Sequence, residues 1–256
     1  MTLECLVTII AGVVGLMVGS FLNVCIVRLP AEQSVVRPRS RCPRCEKPIA
    51  WYDNIPVVSW LILRGKCRGC GLPISPMYPA VELLTAAIWA WMAWSHPLEL
   101  EGLRGAVFFT LLLGITFTDA REYIIPHEFS IGGMVIGILF SLAGGIGTLV
   151  PALAGAVAGF GLLWLIGVVG TAIAKKEAMG GGDMWMMGMV GAFLGWQSVL
   201  LTIFLGALLG TVVYLPLNLL GPEKRVPFGV FLALGAAATW VAGPDIIAWY
   251  RGYVGL

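Results

Sequence analysis

Leu149-Val-Pro-Ala-Leu-Ala-Gly-Ala-Val-Ala-Gly-Phe-Gly-Leu-Leu-Trp-Leu-Ile-Gly-Val-Val-Gly-Thr-Ala-Ile-Ala174 carries no charged residue from end to end. An α-helix rising about 1.5 Å per residue needs about 20 apolar residues to cross a hydrocarbon core of about 30 Å, so this stretch can span a bilayer. On either side of it, further apolar runs occupy residues 6–27, 79–95, 103–120, 129–145, 184–195, 198–219 and 226–249. The 256-residue chain is 59% hydrophobic and 12% charged, with a mean hydropathy of +0.91, which excludes an ordinary soluble domain. Strands of a membrane barrel alternate apolar and polar residues, whereas these runs are unbroken. The expected fold is therefore an all-α membrane protein, a bundle of about eight transmembrane helices. The run at 184–195 is short for a crossing, and it either takes in part of residues 180–183 or is partly re-entrant.

The first run has no basic residue ahead of it and no small-x-small cleavage site before Arg28, so it reads as a retained span rather than a signal peptide. Basic residues set the orientation. With the N-terminus outside, Arg28, Arg37, Arg39, Arg41, Arg44, Lys47, Arg64, Lys66, Arg68, Arg121, Lys175, Lys176, Lys224 and Arg225 all fall inside, and only Arg104 and Arg251 fall outside. Fourteen of sixteen cations on one side place residues 28–78 in the cytoplasm. Trp89, Trp91 and Trp94 then lie toward the outer end of the second span and Trp196 in an outer turn, as interfacial anchors. A net charge of +2 gives no ground for a nucleic-acid partner; the lipid bilayer is the partner implied.

Residues 30–78 hold Cys42-Pro-Arg-Cys45 and Cys67-Arg-Gly-Cys70, four of the six cysteines. A segment this small cannot build much of a core, and a metal or disulfide clasp is the usual remedy. Two C-x-x-C turns present four thiolates to one point, a closed tetrahedral set that suits zinc and leaves no open catalytic position. Disulfides are the competing reading, disfavoured by a reducing cytoplasm. Cys5 and Cys25 lie in the first span and read as small packing residues.

Charge inside a membrane helix is costly, so Asp119, ending the third span, and Asp183, opening the sixth after Gly180-Gly-Gly182, are functional candidates. The third span runs inward and the sixth outward, so both carboxylates sit at one depth on the cytoplasmic side. Two readings fit. If the acids meet, they share a proton, and one can take a proton from water while the other donates to a carbonyl. Gly180 and Gly182 would then let a substrate backbone approach. In the other reading both are helix-end charges, solvated or capping. Glu122, one turn beyond Asp119, reads as a solvated loop residue.

These residues resemble the type IV prepilin peptidases. The resemblance rests on Gly19-Ser-Phe-Leu-Asn-Val-Cys-Ile-Val-Arg-Leu-Pro30, the paired knuckles and Tyr78-Pro-Ala-Val-Glu82. It extends to Asp119 with Ile125-Pro126, and to Gly180-x-Gly182-Asp183 with Gly195-Trp196 beyond. It implies an aspartic endopeptidase of the G-x-G-D type that removes the leader of prepilin or pseudopilin precursors at the cytoplasmic face. The new N-terminus is then methylated from S-adenosylmethionine. It further implies Asp119 and Asp183 as catalytic, Cys42, Cys45, Cys67 and Cys70 as zinc ligands, and an inner-membrane location. Trp185, Met77 and His127 depart from the residues common in the family at their positions, and His127 reads as a cytoplasmic-loop residue. For the methyl donor no Gly-rich loop follows a strand, and Gly144-Gly-Ile-Gly147 lies at an outer turn. The resemblance points to the cytoplasmic segment, with Glu82 and Asn23 as candidates, although either also suits a buried polar group at a helix end.

The expected organisation is a first transmembrane helix at 1–29, a zinc-binding segment at 30–78 and a polytopic peptidase domain at 79–256. A competing function is a non-enzymatic assembly factor or ion-coupled transporter that docks through the zinc module and uses the acids as a relay. Zinc-dependent proteolysis lacks ligands, because His96 and His127 fall on opposite sides of the membrane.

Overall fold

The computed structural model describes residues 2–176, 178–219 and 226–255. Lys224 and Arg225, two of the cations used for orientation, lie outside the described residues. Within them the regular elements are helical: α1 (Leu3–Arg28), a 3-10 turn (Trp51–Asn54), α2 (Val58–Ile62), α3 (Met77–Ser95), α4 (Leu100–Glu122), α5 (His127–Ala143), α6 (Ile146–Ala174), α7 (Gly181–Leu194), α8 (Trp196–Leu219) and α9 (Phe228–Val254). All but α2 and the 3-10 turn fall on the eight apolar runs. α1, α4, α6, α8 and α9 are each long and apolar enough to cross a membrane, and the chain is a multi-pass membrane protein.

Several boundaries differ from the expectation. α4 continues past Asp119 to Glu122, so Asp119 sits one turn inside the helix and Glu122 is its last residue. α7 starts at Gly181 and so takes in Asp183. His127 is the first residue of α5 rather than a loop residue. Trp196 opens α8 directly, because the α7–α8 connection is Gly195 alone, at φ +80°, a conformation glycine adopts without strain.

The chain forms two compact units, Met1–Gly114 and Ile115–Leu256. In the first, α1 lies against α3. A Cβ on Gly15 would stand 2.8 Å from the Ala86 Cα, and one on Gly19 2.7 Å from the Glu82 Cα, so glycine is required on this face of α1. The early part of α4 joins through Trp89, whose indole N–H donates to the Thr110 hydroxyl (3.0 Å), and through the edge-on rings of Trp91 and Phe109.

In the second unit α7 is the centre: Met186, Met187, Gly188, Met189, Val190, Gly191, Ala192 and Phe193 are all buried. A helix apolar on every side belongs inside other helices. That explains its length, about 21 Å for 14 residues, which is less than a hydrocarbon core. α6 touches it backbone to backbone: a Cβ at Gly155 would overlap the Gly191 carbonyl, and one at Gly159 the Met187 carbonyl. α5 gives Gly137 to the Phe193 ring, 2.8 Å from where a Cβ would stand. α8 and α9 meet at Gly206 and Gly235 and through a Thr202–Thr239 hydroxyl bond of 3.1 Å. In lipid such packing replaces the hydrophobic drive.

Gly155→Leu should therefore destabilise the protein by about 3 kcal/mol or more, the upper range for overpacking, whereas Gly147→Ala, with nothing within 4 Å of the added carbon, should be neutral. Thermal unfolding in detergent micelles separates the two.

Candidate active site and metal centre

Asp119 is buried, at 6% exposure, in the last turn of α4. Its Oδ2 accepts from the Val230 N–H at 3.1 Å, in the first turn of α9, where helix N–H groups lack intrahelical partners. The approach depends on Gly229: a Cβ there would lie 2.9 Å from the same oxygen and 2.7 Å from the Ile125 Cδ1. Pro227 caps the helix at this point.

Ile125 links the two acids. After α4 the chain reverses through Tyr123, at φ +55°, whose N–H closes on the Asp119 carbonyl at 3.0 Å. Ile125 is thereby turned inward and buried, with Pro126 as the cap of α5. A Cβ on Gly182 would stand 2.9 Å from the Ile125 Cβ, so the first turn of α7 rests on this side chain. Asp183, the next residue, is half-buried and close enough to Asp119 for their charges to interact. It is the third residue of α7, not its cap, which is Gly180. The two glycines of the G-x-G-D motif face different surroundings. Gly182 is seated on Ile125, whereas Gly180 and Gly181 are exposed and a Cβ on Gly181 would meet nothing.

The metal-ligand set is equally well defined. The four Sγ atoms of Cys42, Cys45, Cys67 and Cys70 lie within 4.8 Å of one another, with Cys42 and Cys70 at 3.9 Å. A tetrahedral site with Zn–S bonds of about 2.3 Å separates its sulfurs by about 3.8 Å, so the cluster fits a metal ion of that kind. None of the six cysteines is in a disulfide. N–H groups of Cys45 and Arg44 directed at its sulfur hold the Cys42 thiol down at about 6, favouring the thiolate a metal needs.

The knuckles are an internal repeat with a step of 25 residues, which extends beyond the cysteines to the backbone pairing around them. Cys42 donates to the Lys47 carbonyl and Cys67 to Leu72; Ile49 donates to Ser40 and Ile74 to Gly65. Antiparallel bridges Arg41–Pro48 and Lys66–Pro73 close the two loops. The residue after each second cysteine is left-handed, Glu46 at φ +55° and Gly71 at φ +69°. A fork from Arg68 to both oxygens of Asp53 (2.8 and 2.7 Å) ties the second knuckle to the 3-10 turn. It also holds the Asp53 carboxyl below its usual range.

Asn23 and Glu82 lie in the first unit. Asn23 donates to the Tyr78 carbonyl at 3.0 Å, and its Oδ1 is buried without a partner. Glu82 accepts the Val57 N–H at 2.8 Å, holding a β-branched residue at φ +61°, a conformation such residues rarely adopt. Cys25 is buried and Cys5 half-buried.

Ile125, Gly229 and Val230 carried no chemical signal in sequence. Ile125 stood out only within a family motif, and Pro227-Phe-Gly229 reads as ordinary punctuation at a helix start.

Fold and site together define a polytopic helical membrane protein with paired carboxylates at helix ends and a four-cysteine centre. Residues 13–96 match the bacterial peptidase A24 N-terminal domain and residues 106–215 the type IV leader peptidase family. The prepilin leader peptidase/N-methyltransferase of Aeromonas hydrophila is 37% identical over 266 residues, covering 92% of this chain and 91% of that protein. The protein of the same name from Neisseria gonorrhoeae is 35% identical over 254 residues, 90% and 86% of the two chains. That from Myxococcus xanthus is 43% identical over 201 residues, and the match covers 78% of this chain but 60% of the relative. The chain belongs to the type IV leader peptidase family. No solved structure matches it significantly.

The purified protein should carry about one metal ion per chain, and Cys67→Ser should lower that content at least tenfold, as read by elemental mass spectrometry.

Proposed function

We propose that this chain cleaves the leader peptide of prepilin-like precursors with Asp119 and Asp183 and methylates the N-terminal amine so exposed. The observation that carries the reading is that two acids from separate helices lie close enough for their charges to interact, beside helix starts that both rest on Ile125, within a family whose named relatives are leader peptidases. Asp119, fixed by the Val230 N–H, takes a proton from the attacking water. Asp183 donates a proton to the scissile carbonyl oxygen as the water oxygen bonds to its carbon. The tetrahedral adduct then collapses: the C–N bond breaks, the departing nitrogen takes the proton held by Asp119, and a hydroxyl of the adduct returns its proton to Asp183. The exposed backbone at Gly180 lets an extended substrate approach Asp183, while Gly182 seats the motif on Ile125.

In this reading zinc fills the four-cysteine site as a closed structural ion, at the distances already given. Residues 1–29, 30–78 and 79–256 act as first span, zinc segment and peptidase domain. The N-terminus faces outside, and the zinc segment and the acids face the cytoplasm across the inner membrane.

For the methyl donor, the unpartnered Asn23 Oδ1 and the nearby Glu82 carboxylate offer acceptors suited to a cationic ligand. S-adenosylmethionine, when bound, supplies the electrophilic methyl group. Asn23 and Glu82 are only 3% and 7% exposed, so the turn at Val57 must open for a donor to reach them.

One assay tests the whole reading: purified protein with a prepilin-like substrate, and mass spectrometry of product length and added methyl. Asp119→Asn and Asp183→Asn should each lower cleavage by at least about 10³-fold with unfolding unchanged. Normal cleavage by either variant would remove the aspartyl mechanism. Glu82→Gln should cut normally and lose the added methyl. Gly229→Ala, which must push Asp119 aside, should lower cleavage by about 10²-fold.

A further inference from the structure

The first unit contains a cavity of about 530 Å³ between one face of α1 and the segment that follows it. On α1 its walls are Met17, Phe21, Val24 and Arg28, which recur at helical spacing along a single stripe. This stripe lies opposite Gly15 and Gly19, the face that packs on α3, so it is the side α1 turns to lipid. The following segment contributes Arg39 and Trp51. Met17 and Phe21 are 64% and 56% exposed, so the apolar part of the cavity is open along the helix.

Polarity is graded along this wall. On α1 its apolar residues lead up to Arg28 at the helix end, and Arg39 lines the same cavity. From Met17 to Arg28 the helix rises about 16 Å, close to half of a hydrocarbon core of about 30 Å, the depth of one leaflet. Arg28 spends one N–H on the Ser34 carbonyl (2.9 Å), leaving most of its five donors. Among the described residues neither arginine pairs with a carboxylate. Trp51, which lines the cavity and is 73% exposed, is an amphipathic ring of the kind that settles at headgroup level.

We infer that this cavity holds one anionic phospholipid, its acyl chain along Met17, Phe21 and Val24 and its phosphate between Arg28 and Arg39. A hydrophobic peptide would satisfy the stripe and leave two guanidinium groups unpaired. A small soluble anion would satisfy the arginines and leave the apolar wall empty. An anionic lipid matches both ends, as basic pockets beside membrane helices do elsewhere. The inference needs the chain to be a membrane protein and does not depend on the peptidase reading.

The test uses the full chain in detergent with an equimolar mixture of phosphatidylglycerol and phosphatidylcholine, followed by native mass spectrometry. One phosphatidylglycerol should be retained per chain, at least tenfold over phosphatidylcholine. Arg28→Gln combined with Arg39→Gln should abolish that preference. Val24→Trp, which fills the apolar wall and keeps both arginines, should lower retention similarly; a thermal melt identifies any variant that fails to fold. Brominated phosphatidylglycerol should quench fluorescence less in Trp51→Phe than in the parent. Equal retention of the two lipids, retention unaffected by the arginine pair, or displacement of the lipid by S-adenosylmethionine or by a prepilin peptide would each overturn the inference.

Discussion

The contact on which the second unit depends is the backbone-to-backbone touch of α6 and α7 at Gly155 and Gly191. Water is excluded from hydrocarbon and lipid tails are as apolar as leucine, so helices gain by approaching until their atoms interlock. With no side chain at the crossing, α6 closes directly over α7, and α5 closes over another side through Gly137. α7 is thereby relieved of facing lipid or water along its buried turns, and it can be short and apolar all round. Its exposure falls on its first five residues and on Leu194 at its end, and Asp183 is among the former.

The same device recurs around the acids with a different result. Gly182 and Gly229 are both stripped of side chains by one residue, Ile125, which the α4–α5 reversal drives inward between two helix starts. Asp119 is pinned by this arrangement and by the Val230 N–H. Two positions earlier in the motif the backbone of Gly180 is exposed. The start of α7 is thus tightly packed at Gly182 and open at Gly180, within a few residues of one sequence. Preorganisation of this kind sets how far misplacement costs rate.

Helix number and the four-cysteine set were legible because each has a direct physical signature: uncharged length for a span, paired thiols at C-x-x-C spacing for a metal. The acids were legible because charge in a membrane helix is conspicuous. Helix ends were read less well. α4 runs through Asp119, whose carboxylate meets the Val230 N–H, a partner more than a hundred residues away that no local pattern reveals. Gly229 was invisible for the same reason, since a glycine needed for a contact looks like one needed for a turn. The 25-residue repeat was present in the letters, in the shared Pro-Ile after each knuckle, and emerged only when the backbone bonds paired Ile49 with Ile74.

The acids of this protein also differ in what they are committed to. Glu82 holds the strained Val57 turn, Asp53 holds the Arg68 fork, and Asp119 holds the start of α9. Each has a donor within 3.1 Å, so a side chain with no acceptor at any of these positions would lose that bond, whereas an amide of the same shape can keep it. Asp183 makes no hydrogen bond among the described residues, although it sits half-buried beside another carboxylate. Removing its carboxylate would therefore break no hydrogen bond among the described residues. Of the two paired acids, Asp119 is the one a hydrogen bond from another helix holds in place, whereas Asp183 stands three residues from the exposed backbone of Gly180 with no such bond among the described residues.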